Sequence, residues 1–400
     1  MASDIDGPRA ITDSERSDCM TMLDRVFNTT PDGYFHRYFE GDPWFKNDCC
    51  RVLLVDGRIA SSVSICRREV RVGCVRLAMG GIANVGTDPE YRKRGYSSEV
   101  LRDAVRTMDA EEMDFSFLYT GRYDFYSRVG WRRIAIPALK GMLKTAEPAR
   151  ADAGYTVRPY DPGTDASALL RIYDEFNAER TLTAVRTERY WRSFSMHRFR
   201  DNWRITFAED KSGPVAYTIG SVRDKVLWFH EMGFAGGHAA ALATLFRDAA
   251  ADAAAGGAGE VMIELAADPA VVEAASEIAA DLDVSHLEHT MVMFLNLPRT
   301  FHRLLPELNR RARSATLSGS VGVETEIGSV GLEADGTRIR IVDASNARHG
   351  AKLTQPDLAR LVFGIGPVED AGSDVSEGAC EFLSALFPAQ PSVYWLADKF

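Results

Sequence analysis

The most constraining stretch of this 400-residue chain runs from Gly80 to Met108. Gly80-Gly81-Ile82-Ala83-Asn84-Val85 closes a strand-forming run. The chain then turns through Gly86-Thr87-Asp88-Pro89-Glu90-Tyr91-Arg92-Lys93-Arg94-Gly95, and Val100, Leu101, Val105 and Met108 follow at helical spacing. A strand that feeds through a short loop into an amphipathic helix belongs to a sheet with helices packed on it. The flanking sequence agrees. Cys19 to Phe27 carries Met20, Leu23, Val26 and Phe27 on a helical stripe after the cap-like Thr12-Asp13-Ser14. Arg51 to Val55 reads as a strand entering a turn at Asp56-Gly57, with Arg58 to Arg68 as its hairpin partner. Val70 to Val85 supplies two more strand runs turning near Val72-Gly73, and Phe115 to Thr120 another. The first segment is therefore expected to be a mixed sheet flanked by helices.

Length alone, at roughly 150 residues per domain, points to two or three domains. Lys144 to Gly154 is small and polar, as a linker is. Beyond it the same order recurs: a strand at Tyr155 to Pro159, a helix from Ser167 to Asn177, and strands at Trp203 to Ala208, Val215 to Val222 and Lys225 to Phe234. An Ala-rich helix from His238 to Ala255 and a strand at Glu260 to Leu265 complete it. No Arg-x-x-Gly loop lies between the last long strand and its helix here. The last hundred residues read as a helix through Phe301, Leu304, Leu305 and Leu308. Strands at Ser320 to Ile327, Gly328 to Leu332 and Arg338 to Asp343 follow, then helices at Gln355 to Phe363 and Ser376 to Phe387. The final Tyr394-Trp-Leu-Ala-Asp-Lys-Phe400 is largely aromatic and apolar, unlike a solvated terminus.

Composition removes several classes. The chain is 46% apolar, with no apolar run near the roughly 18 residues that span a bilayer. The acidic opening is unlike a signal peptide, so a cytoplasmic protein without a membrane partner is expected. Six cysteines without a CxxC pair argue for reduced thiols rather than zinc or a disulfide framework. The net charge of −10 is uneven: residues 1–150 carry 23 Lys+Arg against 22 Asp+Glu, residues 151–300 carry 14 against 22. An acidic bulk disfavours nucleic acid, while the balanced first segment leaves room for a basic loop. His286 and His289 resemble a ligand pair but lie in a strand-like region away from that loop, so no metal is expected.

That loop is the main chemical signal. Three cations and a glycine precede a helix whose first N–H groups have no intrahelical partner, at the positive end of its dipole. This is a cradle for a pyrophosphate. One strand later, Tyr123-Asp-Phe125-Tyr126 opens a helix beside it. A phenol of pKa ~10 is a reasonable acid towards a thiol of pKa ~8.5, which suits Tyr126, with Tyr123 second, to protonate a leaving thiolate.

Together the two motifs resemble the GNAT superfamily of N-acetyltransferases, in which an Arg/Gln-x-x-Gly-x-Gly/Ala loop and an aromatic helix form the acetyl-CoA site. Here Arg92-x-x-Gly95-x-Ser97 carries serine at the last small position. The whole chain, including Arg186-Thr-x-x-Tyr190-Trp191 and Phe400, is similar to the Eis (enhanced intracellular survival) family. The resemblance implies an α/β (α+β) protein of tandem GNAT-like mixed-sheet domains followed by a sterol-carrier-protein-like α+β domain. The implied boundaries are 1–147 for the catalytic domain, 148–295 for a second GNAT-like domain without the cofactor loop, and 296–400 for the last.

It further implies acetyl-CoA as acyl donor, held by backbone groups of Val85, Gly86 and Thr87 along the pantetheine and by Arg92, Lys93, Arg94, Gly95, Tyr96, Ser97 and Ser98 at the pyrophosphate. Tyr126 would be general acid and the C-terminal carboxylate of Phe400 general base. The acceptor would be an aminoglycoside-, polyamine- or lysine-like primary amine, near Asp24, Phe27, Trp44 and Asn84, and the assembly a hexamer. The rival readings are a lipid or sterol carrier working through the last domain and a non-catalytic acetyl-CoA-binding regulator.

Overall fold

The computed structural model describes residues 4–29, 34–144, 154–195, 203–265, 268–370 and 374–400. The expected linker Lys144 to Gly154 lies, but for its two ends, outside the described residues. Twelve strands form one mixed sheet: β1 Ile5–Ala10, β2 Cys50–Val55, β3 Arg58–Val72, β4 Val75–Thr87, β5 Phe115–Tyr119, β6 Arg132–Leu143, β7 Thr156–Pro159, β8 Trp203–Asp210, β9 Gly213–Arg223, β10 Val226–Phe234, β11 Glu260–Ile263 and β12 Ala279–Phe294. Their spatial order is β1-β2-β3-β4-β5-β12-β6-β11-β10-β9-β8-β7. The hinge of this arrangement is β12, which pairs antiparallel with β6 along most of its length and, through Thr290–Phe294, with β5 as well. In return β6 pairs with β11 through Leu139–Met142.

Helix α1 (Arg16–Phe27) and helix α2 (Tyr96–Ala110) cover opposite faces of the first half. The continuous apolar run of β2 divides by alternation: Val52 and Leu54 pack with Met22 and Leu23 of α1, Leu53 and Val55 with Val100 and Leu101 of α2. Helix α3 (Tyr123–Ser127) follows β5, and helix α4 (Ala166–Asn177) packs on β9 and β10 in the second half.

The last part of the chain makes a separate four-stranded sheet, β15-β14-β13-β16, from β13 Ser318–Thr325, β14 Gly328–Asp335, β15 Ile339–Val342 and β16 His349–Lys352. The amphipathic helix Leu297–Ala315 joins it to the large sheet. Phe301, Leu304, Leu308 and Ala312 on that helix share one apolar core with Phe115 and Phe117 of β5 and with Phe363. Thr354 caps the helix Gln355–Phe363, accepting from the Asp357 N–H as its sequence suggests. The sequence pattern does not announce β1, β6 or β16, and of β12 it marks only the strand-like region of His286 and His289. β1 contains Gly7-Pro8, and β16 is His349-Gly-Ala-Lys352 without a β-branched residue. Among the described residues no helix is long and apolar enough to cross a membrane.

Candidate functional site

A cleft of about 860 Å³ opens between β4 and β5. These strands pair in parallel only from Met79 to Gly81 against Phe115 to Phe117. Beyond that, the pairing of β3 with β4 slips by one residue between Ser62 and Ser64, and Asn84 enters the left-handed region with φ 52°. Such a bulge bends its strand, and here it carries β4 away from β5. Asn84 lines the resulting cleft and donates to the Ser64 hydroxyl at 3.0 Å.

At the mouth of the splay, β4 ends at Thr87 and the basic loop begins. Asp88 accepts the Glu90 N–H at 3.0 Å and receives the Arg25 guanidinium from α1 at 2.5 Å, which fixes the first turn. Lys93 (φ 62°) and Gly95 (φ 89°) both take left-handed backbone, and Gly95 is the N-cap of α2 with no side chain to satisfy the N–H groups behind it. Val85, Thr87, Arg92, Lys93, Gly95, Tyr96 and Ser97 line the cleft. Among the described residues none of Arg92, Lys93 and Arg94 pairs with a carboxylate; Arg92 donates to the Thr87 carbonyl at 3.4 Å and Arg94 to the Glu90 carbonyl at 3.3 Å. Three uncompensated cations around a helix N-terminus suit a pyrophosphate, so the donor set fits the group the motif implies.

Three of the expected loop contacts lie elsewhere. The Ser98 N–H is bonded to the Gly95 carbonyl at 2.9 Å, Arg94 folds back over the Tyr91 ring at 5.5 Å, and Gly86 faces α1. A Cβ at Gly86 would stand 2.8 Å from Leu23 Cδ2, so this glycine serves helix approach.

Tyr126 and Phe400 line the same cleft. The Tyr126 ring packs edge-on to Phe125 at 4.9 Å and to Trp131 at 6.2 Å, and burial pushes its hydroxyl up to about 12, with Arg122 opposing weakly. Tyr123 turns away: its hydroxyl donates to the Glu288 carbonyl at 3.1 Å and its ring lies under Arg133. The Phe400 ring fills the space where Gly81 lacks a side chain and packs on Tyr119 at 5.6 Å. Its two neighbours hold it there. Lys399 Nζ binds Glu264 at 2.9 Å and Asp398 binds the buried Arg186.

Of the expected acceptor residues, Phe27 and Asn84 line the cleft. Asp24 does not; it accepts the Thr29 hydroxyl at 2.7 Å and its carbonyl caps the end of α1. Trp44 lies against Tyr190 at 4.9 Å with the buried Arg68 above it, behind the wall. Sequence reasoning missed Tyr34, Phe35, Tyr38, Tyr119 and Arg122, all in the lining. The aromatic density of Tyr34-Phe-His-Arg-Tyr-Phe39 is the signal that would have found the first three.

The sequence model of a family described as an acetyltransferase (GNAT) domain matches residues 8–134. Residues 8–134 therefore carry a GNAT-type acetyltransferase domain. The cleft with its basic loop lies wholly within that GNAT domain but for Phe400. Solved structures share the fold over the full length. A probable N-acyltransferase from Enterococcus faecalis V583 is 14% identical at a TM-score of 0.75, with 100% of each chain covered. A GCN5-related N-acetyltransferase from Anabaena variabilis is 14% identical at 0.72, again with 100% of each chain covered. Eis1 from Mycobacterium abscessus is 14% identical at 0.63 over 100% of both chains. A comparison with curated proteins gave no match.

Proposed function

We propose that this GNAT-type protein transfers the acetyl group of acetyl-CoA directly to a primary amine, with Tyr126 as general acid and the carboxylate of Phe400 as general base. The observation that carries this is that residues 126 and 400 line one cleft with the cationic loop. Acetyl-CoA supplies an activated thioester. Arg92 and Lys93 hold its anionic end by charge, and the N–H groups that open α2 add their dipole. Val85 and Thr87, where β4 has left β5, offer strand-edge groups to the extended arm. Tyr126 keeps its proton up to about pH 12, so it stands ready as donor at neutral pH. The Phe400 ring packs against Tyr119 and Tyr394, and in this reading its carboxylate takes the amine proton. In the same reading residues 148–295 are a second GNAT-like domain, 296–400 a sterol-carrier-like domain, and the chain a cytoplasmic homo-oligomer.

Tyr126→Phe tests the acid. It is expected to bind acetyl-CoA with unchanged affinity by calorimetry and to lose turnover by roughly 10²–10⁴-fold in a thiol-release assay. Unchanged turnover would remove Tyr126 from the mechanism.

A further inference from the structure

We propose that the acceptor is a primary monoamine carried on an aromatic or apolar body, an arylalkylamine rather than a polyamine or aminoglycoside; this rests on the N-acetyltransferase reading above. The acceptor side of the cleft is a continuous wall of rings. Phe27 lies 5.7 Å from Phe35, Tyr34 lies 5.0 Å from Phe35 and 6.1 Å from Tyr38, and Tyr119 and Phe400, 5.6 Å apart, line the same cleft. Among the described residues no aspartate or glutamate side chain lines the cleft. Each further ammonium of a polycation would therefore be desolvated there with no anion among the described side chains to pair with, which is costly.

A second observation points the same way. Arg37 is buried directly behind the wall, its guanidinium 4.6 Å from the Tyr34 ring and 4.7 Å from the Tyr38 ring, donating to both hydroxyls. Among the described residues it pairs with no carboxylate. A cation already occupying the rear of those rings repels a second one at their front, whereas a neutral aromatic body gains stacking on them. One ammonium remains acceptable, because it must lose its proton to react. The ammonium first gives one proton to solvent; the neutral amine then attacks the thioester carbonyl, forming the C–N bond, and passes its second proton to the Phe400 carboxylate, which returns it through solvent to Tyr126 after turnover. The C–S bond breaks, and the departing thiolate takes the Tyr126 proton.

The test is kcat/KM with acetyl-CoA for phenethylamine, spermidine and an aminoglycoside, each acetylated product identified by mass. The monoamine is expected to exceed both polycations on the order of 10²-fold. Phe27→Glu, a change at a half-exposed position on the rim, is expected to narrow that ratio at least tenfold by supplying the missing anion. Equal or better acetylation of the polycations overturns the inference and leaves the N-acetyltransferase reading standing, as does a ratio indifferent to Phe27→Glu. Acetyl-CoA binding with no amine acetylated overturns both.

Discussion

Arg186 and Asp398 lie 212 residues apart in sequence and meet in a two-pronged ion pair, Nε on Oδ1 and Nη2 on Oδ2, each at 2.9 Å. Both side chains are sealed from solvent, and the other edge of the guanidinium is bonded to Glu231 through Oε1 and Oε2 at 2.7 Å. Burial works against the charge on Arg186, but the two carboxylates outweigh it and hold the group well above its ordinary range. A cation of the second half thus grips the tail two residues before Phe400.

Removing one partner of such a pair costs more than the pair is worth, since a buried charge loses its counter-charge. Asp398→Asn keeps the shape and deletes the anion. It is expected to lower stability by about 3–5 kcal/mol in urea unfolding and to reduce kcat while leaving acetyl-CoA affinity intact. A variant with normal kcat would mean that Phe400 needs no such anchor.

Appending Gly-Ser to Phe400 turns its carboxylate into an amide and changes no side chain. The extended protein is expected to fold and bind acetyl-CoA but acetylate amines at least 10²-fold more slowly. Near-normal kcat/KM would assign the proton to another acceptor.

The loop is tested separately. Arg92→Ala with Lys93→Ala would remove the two charge-assisted contacts proposed for the pyrophosphate, worth ~1.5–3 kcal/mol apiece, and is expected to raise the acetyl-CoA Kd by more than tenfold, less so at high salt. Both side chains are exposed, so the melting temperature is expected to stay unchanged. Calorimetry and thermal unfolding on one preparation read both quantities.

Acid is expected to loosen the tail and the inter-sheet helix together. Burial raises the Glu264 pKa, but Lys399 and His230 outweigh it and hold the carboxyl at about 2; Glu307, buried on the helix Leu297–Ala315, is likewise held at about 2 by Arg310, the Cys74 N–H and Arg311 against burial. Both folded values lie below the ordinary 4.5, so each carboxylate contributes fully above pH 4.5 and the contribution is lost as pH falls from 4.5 towards 2. Each is worth up to about 3 kcal/mol. Glu264→Gln is expected to flatten the decline in unfolding free energy across that window, and an equally steep decline would deny Glu264 a part in it.

The strand–loop–helix from Val85 to Met108 was legible because each local signal agrees: Pro89 and Gly95 punctuate the turn, and the apolar spacing beyond is helical. The place of Tyr126 in the cleft lining was legible too, one strand later. The ring-lined side of the cleft was not. Tyr34 to Phe39 folds as a short irregular turn whose rings read equally well as core, and Tyr119, also in the lining, ends a strand that looks wholly structural. Nor does any local pattern announce Arg186, whose partners Glu231 and Asp398 are brought to it only by the finished sheet. Asp24 misled because a charged helical residue near a cleft is equally a local cap, as its bond to Thr29 makes it.

The placing of β12 between β5 and β6 sets an order of assembly. It is the last of the twelve strands to leave the ribosome, yet the gap it closes flanks a strand completed at Tyr119. Until Phe294 has emerged, β5 has β4 as its sole neighbour in the sheet, and the wall of the cleft that β5 carries has an open edge. The half that carries the cleft therefore completes its sheet only once the second half has been made and has handed back a strand.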